Sequence, residues 1–292
     1  MKRWLVLLII CVGYGSANAQ MFETPEHIST FSSRVNSPVT LRVEHTGNTF
    51  VFYAENKSYY PYNFELSFTK LVNLTPRTAG EKRILKHGSS RILKLTIENE
   101  ELAPDYGYSI SYSMGDPSRQ ADESFPYLMP ISPGKKFERH STIEDGRNVF
   151  LINAFKLAPG DTIYAIRKGF VAALPEENHQ IDKLHTGALE IIHEDGSVAL
   201  YRNITRPLLK YNQEVYPGQP VGIVEQASFF IVSVHAFTES QVKALSIKFV
   251  SEDQNLFSFR DLPPGQTVQH PVNIIEKELS AKEIKKLKKS KN

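Results

Sequence analysis

Histidine is the side chain in this sequence best suited to metal binding or proton transfer, because imidazole titrates near neutral pH and ligates zinc. Three of the nine histidines, His179, His185 and His193, lie around one predicted β-hairpin and could form a metal cluster. Polar loops also carry histidine without any such role, so this alternative stays open. The sequence contains no G-x-S-x-G motif, no phosphate-binding loop and no dinucleotide fingerprint, which excludes the commonest hydrolase and nucleotide-dependent classes.

The elements that would position such side chains lie between residues 157 and 224. β-rich runs at 162–166 and 170–173 flank the turn Lys168-Gly169. Two further runs, at 188–193 and 197–203, flank Glu194-Asp195-Gly196, and Asp-Gly between alternating hydrophobic residues is a strong hairpin signal. The sequence therefore predicts a compact set of antiparallel strands here.

This order of turns and strands resembles the lysostaphin/LytM-type zinc metallopeptidases, which cut the peptide cross-links of bacterial peptidoglycan. The resemblance covers roughly residues 125–272, about half of the chain. The matching segments are Gly160-Asp161-Thr162-Ile163, Arg167-Lys168-Gly169, His193-Glu194-Asp195-Gly196, Tyr201-Arg202-Asn203-Ile204 and Gly218-Gln219-Pro220-Val221-Gly222. What it implies is an antiparallel β domain with a substrate groove.

The resemblance also implies where zinc ligands should stand. In the family these are a His and an Asp shortly before the first of those turns, and the second His of a His-x-His on a late strand. Counted back from Gly160, the Asp position falls on Ala154 with Asn153 beside it, and neither side chain is an anionic ligand. Of the histidines upstream, only His140 could substitute for the first ligand.

The family's assisting histidines are also replaced. The His of Tyr-x-His corresponds to Asn203, a neutral amide that cannot exchange a proton near pH 7. The His-x-His corresponds to Ser233-Val234-His235. The resemblance therefore implies degenerate catalytic positions at Asn203 and Ser233, and no zinc or other cofactor is expected. The remnant metal-site candidates are His140, Asn153 and His235.

Residues 1–19 have the pattern of a secretory signal peptide, with Lys2 and Arg3 before an apolar run and Ala17-Asn18-Ala19 at the expected cleavage site. A lipoprotein signal at Cys11 is the alternative. Cleavage would remove the only cysteine and leave 32 basic against 32 acidic residues. This balance argues against nucleic acid as a partner. The sequence has no second long apolar run, so we expect no transmembrane span. We expect a periplasmic or extracellular protein.

Short alternating strands from Ser37 to about Met114 predict an immunoglobulin-like β-sandwich domain over residues 20–122, although the Cys…Trp…Cys pattern of true immunoglobulins is absent. Residues 115–130 are rich in Pro, Asp and Ser and predict the domain boundary. The expected organisation is mainly β, with the LytM-type domain at 123–272 and a basic helical tail at 273–292. The tail's lysines are either a solvated end or an attachment to anionic envelope polymer or lipid headgroups.

Two functions follow from the resemblance, and a purely structural envelope protein without contact to the wall stays open as a third alternative. The first is a cell-envelope protein whose peptidase-like domain has lost hydrolysis and binds peptidoglycan or a wall-hydrolase partner through the former substrate groove. The second is an active zinc endopeptidase with a rearranged site that uses His140 and His235. Activity would require these imidazoles and a carboxylate to converge on one point.

Overall fold

A computed structural model describes residues 28–31, 37–77, 80–139, 153–175, 188–225, 229–237 and 242–290. The predicted signal peptide and the candidates His140, His179 and His185 lie outside these ranges. The chain forms two compact units, Met1–Asp116 and Pro117–Asn292. Antiparallel strands dominate both, which confirms the predicted mainly β class. Within the described ranges, no helix is long and apolar enough to cross a membrane.

The first unit contains two antiparallel sheets. One has the order β1-β2-β3-β7-β5 and the other the order β6-β4-β8. Their bounds are β1 (Ile28–Phe31), β2 (Val39–Thr46), β3 (Thr49–Asn56), β4 (Tyr62–Val72), β5 (Leu74–Thr75), β6 (Gly80–Leu85), β7 (Gly88–Ile97) and β8 (Asp105–Met114).

Aromatic packing joins these two sheets. Phe52 of β3 is fully buried, and its ring centroid lies 5.4 Å from that of Phe68 on β4. Tyr106 and Tyr108 of β8 contact the same ring edge-on, at 5.6 and 6.1 Å. Each buried aromatic ring contributes on the order of 2–3 kcal/mol by leaving water. The alternation read from the sequence thus produces two packed sheets, whereas the immunoglobulin-like topology stays a prediction.

The second unit is built from short strands and a C-terminal helical segment. Its strands are β9 (Pro126–Tyr127), β10 (Asn153–Lys156), β11 (Asp161–Tyr164), β12 (Gly169–Ala173), β13 (Ala188–Ile192), β14 (Val198–Arg202), β15 (Arg206–Pro207), β16 (Glu214–Val215), β17 (Pro220–Val224), β18 (Phe229–Phe237), β19 (Val242–Ala244), β20 (Lys248–Val250) and β21 (Leu256–Ser258). The helices are α1 (Val272–Ile275) and α2 (Ala281–Ser290).

The central sheet of this unit has the order β10-β18-β14-β13-β12-β16, with β19 paired to β18. The predicted hairpin is present: β13 and β14 pair in antiparallel register from Ala188↔Arg202 to Ile192↔Val198. Gly196 in its turn has φ +82°, a left-handed conformation that favours glycine. The predicted turn at Pro217-Gly218 leads from β16 of the central sheet into β17 of a separate three-stranded sheet, β11-β17-β15.

One aromatic core lies against the central sheet. Phe155 is fully buried, and its ring centroid is 4.9 Å from that of Phe259 and 5.5 Å from that of Phe249. Tyr201 is also fully buried, and its hydroxyl accepts a hydrogen bond from the backbone N–H of Ile166 at 3.0 Å. This bond ties β14 to the segment between β11 and β12, so the hairpin and that segment are positioned together.

Candidate functional site

The two faces of the central sheet differ in what they carry. On β18, Phe230, Val232 and Val234 are buried in the core, and the residues between them are only half buried. Because side chains alternate along a strand, Ile231, Ser233 and His235 lie on the opposite face. We call this face the outer face.

The register of β10 separates Asn153 from the outer face. Asn153 pairs with Val232, and Ala154 pairs with Ile231. Residues directly opposite each other share a face, so Asn153 lies on the core side and Ala154 on the outer side. The Asn153 amide is buried and donates a hydrogen bond to the Val232 carbonyl at 3.0 Å. The register therefore does not place this residue on the face that carries His235.

Asn203 lies at the end of β14 that is distant from His235. Its φ is +67°, and its Nδ2 donates to the Phe229 carbonyl at 3.4 Å. Asparagine tolerates this left-handed conformation better than most residues. The preceding residue, Arg202, pairs with Ile231. Asn203 is thus near the point where Ala154 and Ile231 face each other.

His235 and Ser233 lie on β18, and His235 is opposite the other end of β14. The His235 Nε2 and the Ser233 Oγ are 3.0 Å apart, within hydrogen-bond distance. His235 pairs with Val198, whereas Ile231 pairs with Arg202 at the far end of β14. His235 therefore lies about 13 Å along the strand from the position opposite Ala154. Of the candidates at Asn153, Asn203, Ser233 and His235, the structure brings together only the last two.

The ligand chemistry agrees with this separation. In the part of the chain that the structure describes, no three His, Cys, Asp or Glu side chains are grouped so that they could hold a metal ion. The positions that the register does bring together, Ala154 and Ile231, are apolar. They offer no lone pair to zinc, so this pair does not fit the metal that the family resemblance implies.

Glu190 is a carboxyl group on the outer face that sequence analysis did not identify. It lies on β13 opposite Leu200, which in turn lies opposite Ser233. Its exposed fraction is 1%. Burial raises the pKa of Glu190 to about 8, and the positive charge of Arg202 opposes that shift. At neutral pH this carboxyl is therefore mostly protonated, and it can donate a hydrogen bond.

His193 is buried at the edge of the same hairpin. Its Nδ1 donates to the Lys168 carbonyl at 2.7 Å, and its Nε2 has no hydrogen-bond partner among the described residues. Burial, and then the charge of Arg167, lower the pKa of His193 to about 4, so the ring is neutral. The predicted cluster with His179 and His185 stays a prediction, because both lie outside the described ranges.

A buried guanidinium group is the most highly connected polar feature near this hairpin. Arg167 has a side-chain exposure of 3% and binds Asp195 at 2.6 Å and Glu278 at 2.5 Å. Its Cζ lies 3.8 Å from the ring centroid of Phe125. Burial opposes the charged form of Arg167, but the hydrogen bonds that it donates to Glu278 and the nearby negative charges more than offset this and raise the pKa of Arg167, so the group is charged.

Asp195 connects this arginine to the chain that precedes β9. One carboxylate oxygen accepts from Ser197, and the other accepts from the backbone N–H of Asp122 at 3.0 Å. Burial raises the pKa of Asp195, but the bonds from Ser197 and Arg167 dominate and lower it to about 2. The sequence shows an Arg-Lys pair and an Asp-Gly turn, but nothing in it indicates their partner Glu278, which is 111 residues from Arg167.

Comparison with known proteins gives matches among solved structures alone. No protein-family model and no curated protein matches the chain. Two crystal structures of Helicobacter pylori Csd3 each match with TM-score 0.31 and 12% identity over 91% of this chain, and cover 80% and 79% of those chains. A zinc-containing peptidase from Vibrio cholerae matches with TM-score 0.27 and 12% identity, over 83% of this chain and 88% of that one. Scores this low determine neither the fold family nor the activity.

Proposed function

We propose that this chain is an exported cell-envelope protein whose second unit is a LytM-type domain that binds wall peptides or a wall hydrolase without cleaving peptides. The observation that supports the loss of cleavage is the strand register. It puts Ala154, the position to which the resemblance assigns the carboxylate ligand, opposite the apolar Ile231 and about 13 Å along the strand from His235.

Zinc hydrolysis requires a metal-bound water and a group that moves its proton. Ala154 and Ile231 cannot ligate a cation, and the Asn203 amide does not titrate. Losing one proton-transfer group alone typically costs roughly 10²–10⁴-fold in rate. His235 does not restore the arrangement, because it lies about 13 Å away along β18.

The outer face retains features that suit peptide binding. Along β18, half-buried Phe229 and Ile231 are followed by Ser233 and His235. Arg202, opposite Ile231, is exposed, and its positive charge also acts on the buried Glu190 carboxyl. A guanidinium beside an apolar strip can bind a peptide carboxylate in bidentate fashion while small apolar side chains contact the strip. We infer that Arg202 anchors the carboxylate of such a peptide.

Sedimentation with purified peptidoglycan sacculi tests this function. We expect the protein to sediment with sacculi, to release no soluble fragments, and to lose roughly tenfold or more in affinity on Arg202→Glu. Arg260→Glu is the matched control, since it makes the same charge change at an exposed site of the same unit away from β18.

Two outcomes would contradict the proposal. If neither variant changes sedimentation, Arg202 is not the anchor and the outer face is not the binding surface. If the unmodified protein contains stoichiometric zinc and releases wall peptides in a reaction abolished by His235→Ala, it is the active endopeptidase instead. Binding to a purified wall hydrolase but not to sacculi would identify the hydrolase, rather than the wall peptide, as the binding partner.

A further inference from the structure

The C-terminal segment is docked on the second unit through its acidic residues. The Glu283 carboxylate binds the Lys168 ammonium at 2.5 Å, and the Glu278 carboxylate binds Arg167. Glu276 pairs with Lys288 at 3.0 Å. These three are all the acidic residues of the segment from Val272 to Ser290. Every carboxylate of this segment is therefore paired with a basic side chain.

Local contacts fix the orientation of α2. Ser280 and Glu283 form a reciprocal capping box: the Ser280 N–H donates to Glu283 Oε2 at 2.7 Å, and the Glu283 N–H donates to Ser280 Oγ at 3.4 Å. Ile284 and Leu287 are half buried on the same side of the helix as Glu283. Leu287 lines a groove of about 470 Å³ that also includes Tyr216 and Ile275.

This orientation leaves a row of lysines on the outer side of α2. Lys282, Lys285 and Lys289 are exposed, and none has a carboxylate partner among the described residues. At 1.5 Å rise per residue the row is about 10 Å long. Positions i, i+3 and i+7 share one side of a helix, so the three ammonium groups form a continuous positive ridge. We call Lys282, Lys285 and Lys289 the lysine ridge.

We propose that the lysine ridge holds the protein on an anionic phospholipid surface by electrostatic attraction to phosphate headgroups. The attraction is local, because the chain expected after signal cleavage has no net charge and solvent-exposed charges act over about 8 Å at physiological ionic strength. Clustered lysines close to a negatively charged leaflet are attracted to its anionic headgroups.

The composition of the ridge favours a lipid surface over a nucleic acid. The helix has no arginine for bidentate phosphate contacts and no aromatic side chain on which a base could stack. Leu287 lines the groove and Ile284 is half buried on the same side, so the helix has no apolar side free to insert into the acyl chains. Binding should therefore be confined to the headgroups and should be reversed by salt.

Vesicle flotation of the purified full-length protein tests the proposal. We expect the protein to float with vesicles of equimolar phosphatidylglycerol and phosphatidylcholine but not with phosphatidylcholine alone. It should be released at about 1 M salt, where the screening length falls to about 3 Å. Lysine near an anionic surface contributes about fivefold each, so replacing all three ridge lysines with glutamine should weaken partitioning roughly a hundredfold.

The matched control replaces Lys57, Lys86 and Lys94 of the first unit with glutamine, since these are also exposed and the net charge changes equally. Partitioning should then change less than about twofold, with circular dichroism confirming that both variants are folded. Equal losses in the two variants would overturn the ridge as the contact. Binding to soluble polyphosphate without binding to anionic vesicles would overturn the lipid surface as its partner.

Discussion

Two buried titratable residues of the second unit give opposite pH dependences. Burial raises the pKa of Glu190 from 4.5 to about 8. The contribution of the protonated carboxyl to the free energy of unfolding is therefore fully present below pH 4.5 and is lost as pH rises through 8. Burial lowers the pKa of His193 from 6.5 to about 4, so stability is present above pH 6.5 and is lost as pH falls through 4. Between pH 4.5 and 6.5 the two slopes oppose each other.

Glu190→Gln should therefore change the pH profile in a specific window. Between pH 6.5 and 8, Glu190 is the only one of the two residues that titrates. The free energy of unfolding of the unmodified protein should fall across this window by at most about 2 kcal/mol. The variant should be flat in that window and more stable at pH 8. Urea denaturation at several pH values measures the slope. Glu225→Gln, which removes an exposed carboxylate, should retain the original slope.

At the scale of elements, Arg167 joins three of them: the hairpin turn at Asp195, the segment at Phe125 and the C-terminal segment at Glu278. A buried ion network of this kind is strongly destabilised when one partner is removed, because the remaining charges stay desolvated. The network therefore couples the docking of α1 and α2 to the hairpin.

Arg167→Met should lower the free energy of unfolding by about 3–5 kcal/mol and should raise hydrogen exchange across residues 272–290. Lys156→Met breaks the exposed pair with Glu138 and serves as the control, with an expected loss of at most about 1 kcal/mol. If the exchange of the C-terminal segment is unchanged in Arg167→Met, the segment is held by α2 contacts other than this arginine.

The register of β10 against β18 makes a prediction about zinc. Ala154→Asp with Ile231→His places a carboxylate and an imidazole directly opposite each other, at a Cβ separation of about 5 Å. This pair should bind zinc roughly tenfold or more tightly than Ala154→Asp alone, by titration calorimetry. Asn153→Asp should not gain zinc affinity, since it lies on the core side. An equal gain from Asn153→Asp would mean that the register is shifted by one residue.

At the scale of the whole molecule, the boundary between the two units can be tested by limited proteolysis. The sequence predicts a flexible junction at residues 115–125, but Asp122 and Phe125 are held by Asp195 and Arg167. Endoproteinase Asp-N should therefore cut slowly before Asp122 in the unmodified protein. Asp195→Ala removes the acceptor of the Asp122 N–H and should accelerate this cut. An equal rate of cleavage before Asp122 in the two proteins would contradict the prediction that these contacts order the junction.

The sequence by itself determines the features that depend on neighbouring residues. Alternating apolar residues predict strands, and Asp195-Gly196 predicts the hairpin, because turn conformation and strand periodicity are local properties. Counting from nearby motifs also assigns Ala154 to the expected carboxylate-ligand position and Asn203 to an assisting catalytic position, and this assignment stays a prediction. The capping box at Ser280 and Glu283 is equally local, and it starts the helix expected in the tail.

The tertiary structure decided which of these residues meet. Counting along β18 makes His235 the remaining ligand candidate, but a shift of one residue in a strand moves a side chain to the other face and no local signal sets that register. The pairing of Ala154 with Ile231 puts His235 about 13 Å along β18 from the position to which the resemblance assigns the carboxylate ligand. The Arg167 network and the outward lysines of α2 likewise depend on contacts across more than 100 residues, which a sequence pattern of short period does not encode.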